Sequence, residues 1–135
     1  MYKKRTMDRI ILASTYNDLT PDSDVAWVGE IIEKAGFKVT GFTPTLCMQD
    51  FKPGNMVVER TNGKWRVSGL FDLMESIFGH PEADISRLCA VYIGKGRNDL
   101  AYTFINAYSP DDVDGFIKRF PLFIIHDRSL IWEYV

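Results

Sequence analysis

The stretch from Met56 to Phe71 constrains the fold of this 135-residue chain more than any other. Met56-Val57-Val58-Glu59-Arg60 is short, apolar and β-branched, and Thr61-Asn62-Gly63-Lys64 carries an Asn-Gly pair. Asn and Gly tolerate the positive φ values that tight hairpin turns require. Trp65-Arg66-Val67-Ser68-Gly69-Leu70-Phe71 then alternates large apolar residues with polar or small ones. The pattern predicts one β-hairpin over about residues 55–71.

On either side the spacing is helical. A first helix is expected over residues 5–18, with Met7, Ile10, Ile11 and Ser14 on one side, before a turn from Asn17 to Asp22. Asp22 or Ser23 is the expected cap of a second helix, whose inner face is Val25, Val28, Ile31, Ile32 and Ala35, with Gly36 as its stop. After the hairpin, Pro81, Glu82 and Asp84 resemble a helix first turn, followed by the apolar series Ile85, Leu88, Cys89 and Tyr92. Gly94-Lys95-Gly96-Arg97 reads as a turn between helices, and Asn98 or Asp99 starts the next, through Leu100, Phe104 and Tyr108. Ser109-Pro110-Asp111-Asp112 is a cap, a proline and acids, and predicts a further start. Pro121 is expected to kink or restart that last helix, which Leu122 to Trp132 completes. The fold class is α+β, mainly helical, with a central hairpin and residues 1–135 forming a single domain.

Composition limits the function classes. Hydrophobic residues make up 46% and aromatics 13%, enough for a core and too much for general disorder. Sixteen Lys and Arg against 18 Asp and Glu give 16 − 18 = −2, which argues against a chain built to neutralise nucleic-acid phosphates. Cys47 and Cys89 cannot make a disulfide framework and read as reduced, small buried hydrophobes. Ile10-Ile11-Leu12-Ala13 is too short for a signal-peptide core, and no stretch approaches the ~20 apolar residues of a membrane span. The expectation is a cytoplasmic protein without nucleic-acid or membrane partners.

The chemistry is concentrated around the hairpin. Gln49-Asp50-Phe51-Lys52-Pro53-Gly54-Asn55 precedes it and Asp72 follows. On residue type alone, turn chemistry accounts for these Asp and Asn residues, whose side chains bond their own backbone in loops. Their order has a second reading. An Asp five residues before an Asn, then a hairpin, then an Asp, resembles a kinase catalytic loop and metal-binding segment. In that reading Asp50 orients the attacking hydroxyl and accepts its proton. Asn55 and Asp72 offer hard oxygens to Mg²⁺, and the Lys52 ammonium neutralises charge on the transferred phosphoryl.

Residues 45–91 resemble the C-terminal lobe of the aminoglycoside phosphotransferase and choline-kinase-like family, with its H-G-D-x-x-x-x-N, hairpin, metal-binding Asp and G-D-P-x-x-D. The matching stretches are Met48-Gln49-Asp50-Phe51-Lys52-Pro53-Gly54-Asn55, then Asp72, then Gly79-His80-Pro81-Glu82-Ala83-Asp84. Phe120-Pro121-Leu122-Phe123-Ile124-Ile125-His126-Asp127-Arg128 is similar to a late helix of such proteins. The resemblance implies Asp50 as catalytic base, Asn55 and Asp72 as Mg²⁺ ligands, ATP as phosphoryl donor and a small-molecule hydroxyl as acceptor. Asp84 becomes a structural acid behind the loop. The sequence departs from the family at Met48 for its His, Gln49 for its Gly and His80 for the first acid of G-D-P. Residues 1–47 read as helices and contain no G-x-G-x-x-G, so an N-terminal nucleotide-binding lobe is not expected.

Two function classes follow: a small-molecule phosphotransferase lobe, or a non-catalytic ligand-binding or dimerisation module derived from one. A homodimer is expected through apolar surface that a second lobe would otherwise cover. His80 and His126 lack a metal-ligand pattern, and His126 is expected to hydrogen-bond within the core. Asp111, Asp112 and Asp114 read as helix-start acids before they read as a site for a cationic substrate.

Overall fold

The computed structural model describes residues 2–16, 18–35 and 42–132. Two helices come first, α1 (Tyr2–Tyr16) and α2 (Asp22–Lys34). Strand β1 (Thr45–Cys47), a 3-10 turn (Pro53–Asn55), β2 (Met56–Thr61), β3 (Lys64–Leu70) and β4 (Ile77–Gly79) form the middle. Helices α3 (Glu82–Gly94), α4 (Asn98–Tyr108) and α5 (Val113–Trp132) follow.

The hairpin is β2 against β3, antiparallel, from Met56 opposite Leu70 to Thr61 opposite Lys64. Asn62 and Gly63 take φ of +53° and +76°, the paired left-handed geometry that their residue types suit. A register shift between Val57 and Val58 leaves Ser68 as the extra residue of a bulge. A second small sheet, β1 against β4, pairs Thr45 with Gly79 and Cys47 with Ile77. Sequence spacing did not reveal it, because three-residue strands are too short to show a period of two.

α5 is the spine of the helical part, packing on α1, α2 and α3. Its Leu122 and Ile125 join Ile10, Val28, Ile32 and Ala35 in one apolar cluster, and its Phe116 joins Ile85, Cys89 and Ala101 in another. Pro121 does not restart the helix: α5 runs unbroken from Val113 to Trp132. A proline inside a helix costs about 3 kcal/mol. Burying Leu122, Phe123 and Ile125 just beyond it, at roughly 1.5–3 kcal/mol each, outweighs that cost.

Other helix details also differ from expectation. On α1 the buried residues are Thr6, Ile10 and Ala13, and Ile11 is exposed, so the inner stripe is rotated. α2 has Pro21 at its N-cap with no side-chain cap, so neither Asp22 nor Ser23 caps it. The predicted stop at Gly36 lies outside the described residues. Ser109 ends α4 in the left-handed region, at φ +46°, and the cap of α5 is Asp112, whose Oδ1 accepts from the Gly115 amide at 2.9 Å. Between α3 and α4, Gly96 at φ +69° lets the Gly96 and Arg97 amides return to Ile93 and Tyr92, a helix-to-helix turn as expected.

Candidate active site

The loop carrying Asp50 leaves β1 and is tied down from α3. The Asp84 carboxylate accepts from the Met48 amide at 2.6 Å and the Gln49 amide at 2.8 Å. Burial pushes the Asp84 carboxyl up, and the two amides work against that rise. Gln49 sits at φ +65°, so the chain reverses sharply just before Asp50. Asp84 thus supports the loop from behind, as the resemblance implied.

Asp50 is the centre of the polar network. Its Oδ2 accepts from Lys52 Nζ at 2.5 Å and from Asn55 Nδ2 at 3.1 Å. Its Oδ1 accepts from Arg87 Nη2 at 3.0 Å. Partial burial works to raise the Asp50 pKa, but donation from Lys52, Arg87 and Asn55 outweighs it and holds the carboxyl below its usual range. Lys52, the candidate phosphoryl ligand, is engaged with Asp50 here.

Asn55 is 5% exposed and ends the 3-10 turn. Its Nδ2 also donates to the Asp50 carbonyl at 3.0 Å, so the nitrogen is committed and Oδ1 remains the acceptor. The Phe71 amide donates to the Asn55 carbonyl at 3.2 Å, which closes the open end of the hairpin and brings the chain just before Asp72 to Asn55. Asp72 is exposed at φ +63°. Its carboxylate has no hydrogen bond or ion pair among the described residues. Asp50, Lys52 and Asn55 therefore touch one another directly, and Asp72 is joined to them through the hairpin backbone alone.

No cluster of three or more His, Cys, Asp or Glu arranged for a metal exists among the described residues. The pair Asn55 Oδ1 and Asp72 carboxylate fits magnesium in kind, because that ion takes one or two protein oxygens and fills its shell with phosphate and water.

Sequence reasoning missed Arg87 and Asp127. Arg87 Nη1 donates to Asp127 Oδ1 at 2.9 Å while Nη2 reaches Asp50. Arg87 lies three residues after Asp84 and shares its face of α3, a signal that was legible. Asp127 is 40 residues further on and carried no local signal. Glu82 and Arg119 form a second missed pair: Arg119 Nε donates to Glu82 Oε2 at 2.9 Å and Nη1 to Asp112 Oδ2 at 3.1 Å, joining the starts of α3 and α5.

The remaining candidates have structural roles. His126 Nδ1 lies 2.9 Å from Thr6 Oγ1, which also lies 2.9 Å from the Tyr2 carbonyl oxygen. His80 is buried between the rings of Phe42 and Phe123. Burial pushes both thiols up to about 11, so Cys47 and Cys89 are inert. A cavity of about 50 Å³ lies behind the loop, bordered by Gln49, Arg87, His126 and Asp127. A wider groove of about 570 Å³ runs between α4 and α5, past Tyr102, Phe116, Ile117 and Phe120. Its lining includes no carboxylate, lysine, arginine or histidine.

No helix of the described residues is long and apolar enough to cross a membrane. The model of the phosphotransferase enzyme family matches residues 12–116, a span that includes Asp50, Asn55, Asp72 and Arg87 and stops short of Asp127. No curated protein and no solved structure matches the chain.

Proposed function

Because this chain belongs to the phosphotransferase enzyme family, we propose that it is a kinase-like C-terminal lobe that transfers a phosphoryl group from Mg-ATP to a small-molecule hydroxyl. The observation that carries this reading is the Asp50 carboxylate, held ionised between Lys52, Asn55 and Arg87 beside two loops that offer hard oxygens. Asp50 accepts the hydrogen bond of the acceptor hydroxyl and aims its oxygen at phosphorus. As the new O–P bond forms and the bond to the departing ADP oxygen breaks, the hydroxyl proton passes to Asp50. A carboxyl held low is a weak base, which suits a loose transition state in which that proton leaves late. Lys52 moves from Asp50 to the transferred phosphoryl as charge develops there. Asn55 and Asp72 would hold magnesium, which supplies neutralisation and orientation of the phosphates. Phosphate contacts from this set alone predict weak nucleotide binding and slow turnover.

Calorimetric titration of the chain with Mg-ATP, beside Asp72→Ala, tests the reading. Saturable heat that disappears in the variant is the expected result. No heat at millimolar nucleotide in the unaltered chain overturns it.

A second reading, a dimerisation module, draws on a separate observation. Val57, Val58, Val67, Leu70 and Phe71 of the hairpin region are half exposed, and Met74 and Phe78 are 94% and 77% exposed. Apolar surface on this scale favours a covering partner, and a second copy across a two-fold axis is the commonest kind.

A further inference from the structure

We propose that Arg87, anchored on Asp127, is the positioning residue for Asp50. The inference rests on the reading of Asp50 as the hydroxyl-binding group. Asp50 accepts from Lys52, Asn55 and Arg87. Lys52 and Asn55 belong to the same loop as Asp50 and move with it. Arg87 belongs to α3, and its tie is the one that refers the carboxylate to the helical scaffold.

Arg87 is itself fixed. Its two terminal nitrogens are divided between Asp50 Oδ1 at 3.0 Å and Asp127 Oδ1 at 2.9 Å, so the guanidinium plane is set from both ends. Asp127 is 6% exposed on α5, and Arg128 Nη2 lies 3.3 Å from its other oxygen. A carboxylate that buried is tolerated when paired, and Arg87 pairs it. The side chain at 48 points a thioether into the core, 4% exposed, and has no strong donor with which to hold a carboxylate. The loop backbone is secured by Asp84, three residues before Arg87 on α3. Asp84 therefore fixes the chain of the loop, and Arg87 fixes the direction of its acid. A lysine cannot do the same, because a single ammonium does not present two in-plane nitrogens to two carboxylates. The anchor at Asp127 lies on α5, beyond residues 12–116 that the family model matches.

The test reads the Asp50 side chain directly at one pH. Three-bond N–Cγ and C′–Cγ couplings report its χ1 populations in labelled protein, with amide spectra to show that each variant is folded. The unaltered chain is expected to show one rotamer. Arg87→Ala and Asp127→Ala are expected to average it, and Arg87→Lys to average it despite the retained charge. Asp127→Asn, which still accepts from Arg87, is expected to keep the single rotamer. Should Arg87→Ala fail to fold, Arg87→Lys and Asp127→Asn carry the test. A single Asp50 rotamer in folded Arg87→Lys overturns the proposal and leaves Arg87 as a staple between α3 and α5. Mg-ATP titration separates this outcome from the function: no binding with rotamer averaging in Arg87→Lys removes the phosphotransferase reading and keeps the clamp. Where turnover is measured, Arg87→Lys lowers kcat with KM for nucleotide held, since it does not touch the nucleotide.

Discussion

At the scale of single residues, the chemistry follows from which polar groups are buried with partners. His126 is the clearest titratable example. Burial, with Arg9 and Arg5 nearby, lowers its pKa from 6.5 to about 4. The folded state holds this imidazole neutral while the unfolded chain binds a proton near pH 6.5, so the unfolded state takes up more protons as the pH falls. Its contribution is present above pH 6.5 and is lost as the pH falls toward about 4. Urea midpoints measured at steps from pH 7.5 to 4.5 should fall through this window. His126→Gln should flatten the fall, and an unchanged slope in that variant would assign the acid sensitivity to the carboxylates. The same accounting explains why Cys47 and Cys89 do no chemistry: both thiols are buried without a positive neighbour to stabilise the thiolate.

At the scale of elements, helix ends decide how α3 and α5 meet. Asp112 caps α5 through Gly115 and also receives Arg119, which reaches on to the buried Glu82 of α3. Asp112→Ala should lower the denaturant midpoint through loss of the cap. The Arg119–Asp112 contact is largely exposed on the Asp112 side and should add little. Ser109→Ala, at the position first expected to be the cap, should leave α5 unaffected. Chemical denaturation of the two variants in parallel checks the assignment, and equal losses would show that the cap is shared. The hairpin follows a different logic. Its turn is set by two adjacent residues suited to positive φ, so little beyond Asn62-Gly63 was needed to foresee it.

At the scale of the whole molecule, α5 unites the two apolar clusters while the hairpin stays outside them. A two-stranded sheet gains little stability alone, and this one leaves Trp65 70% exposed and Val58 55% exposed. The dimer reading predicts twice the monomer mass in sedimentation velocity at micromolar protein, with Val58→Lys and Phe78→Lys shifting the chain to monomer. A single monomeric species at all concentrations would refute it. A partner covering the hairpin would lie beside Asn55 and Asp72, whose loops the hairpin joins, so nucleotide binding and dimerisation should be compared in the same variants.

The sequence alone determined what short-range physics controls. The Asn-Gly turn, the inner faces of α2 and α3, the order of Asp50, Asn55 and Asp72 about the hairpin, and the place of Asp84 were legible, because turn propensity and helical period act over a few residues. The exposed Ile11 and the cap at Asp112 went the other way, and Pro121 did not restart its helix, because packing of α5 against α1 and α3 overrode local preference. Tertiary structure alone decided the pairing of β1 with β4 and the two part-buried arginine links, Asp50–Arg87–Asp127 and Glu82–Arg119. Those links join residues 37 and 40 positions apart. Nothing in local sequence selects one acid from the 18 in the chain as an arginine's partner. The choice is made when α3 and α5 pack, since a charge caught between them is stable only if an opposite charge is caught there too.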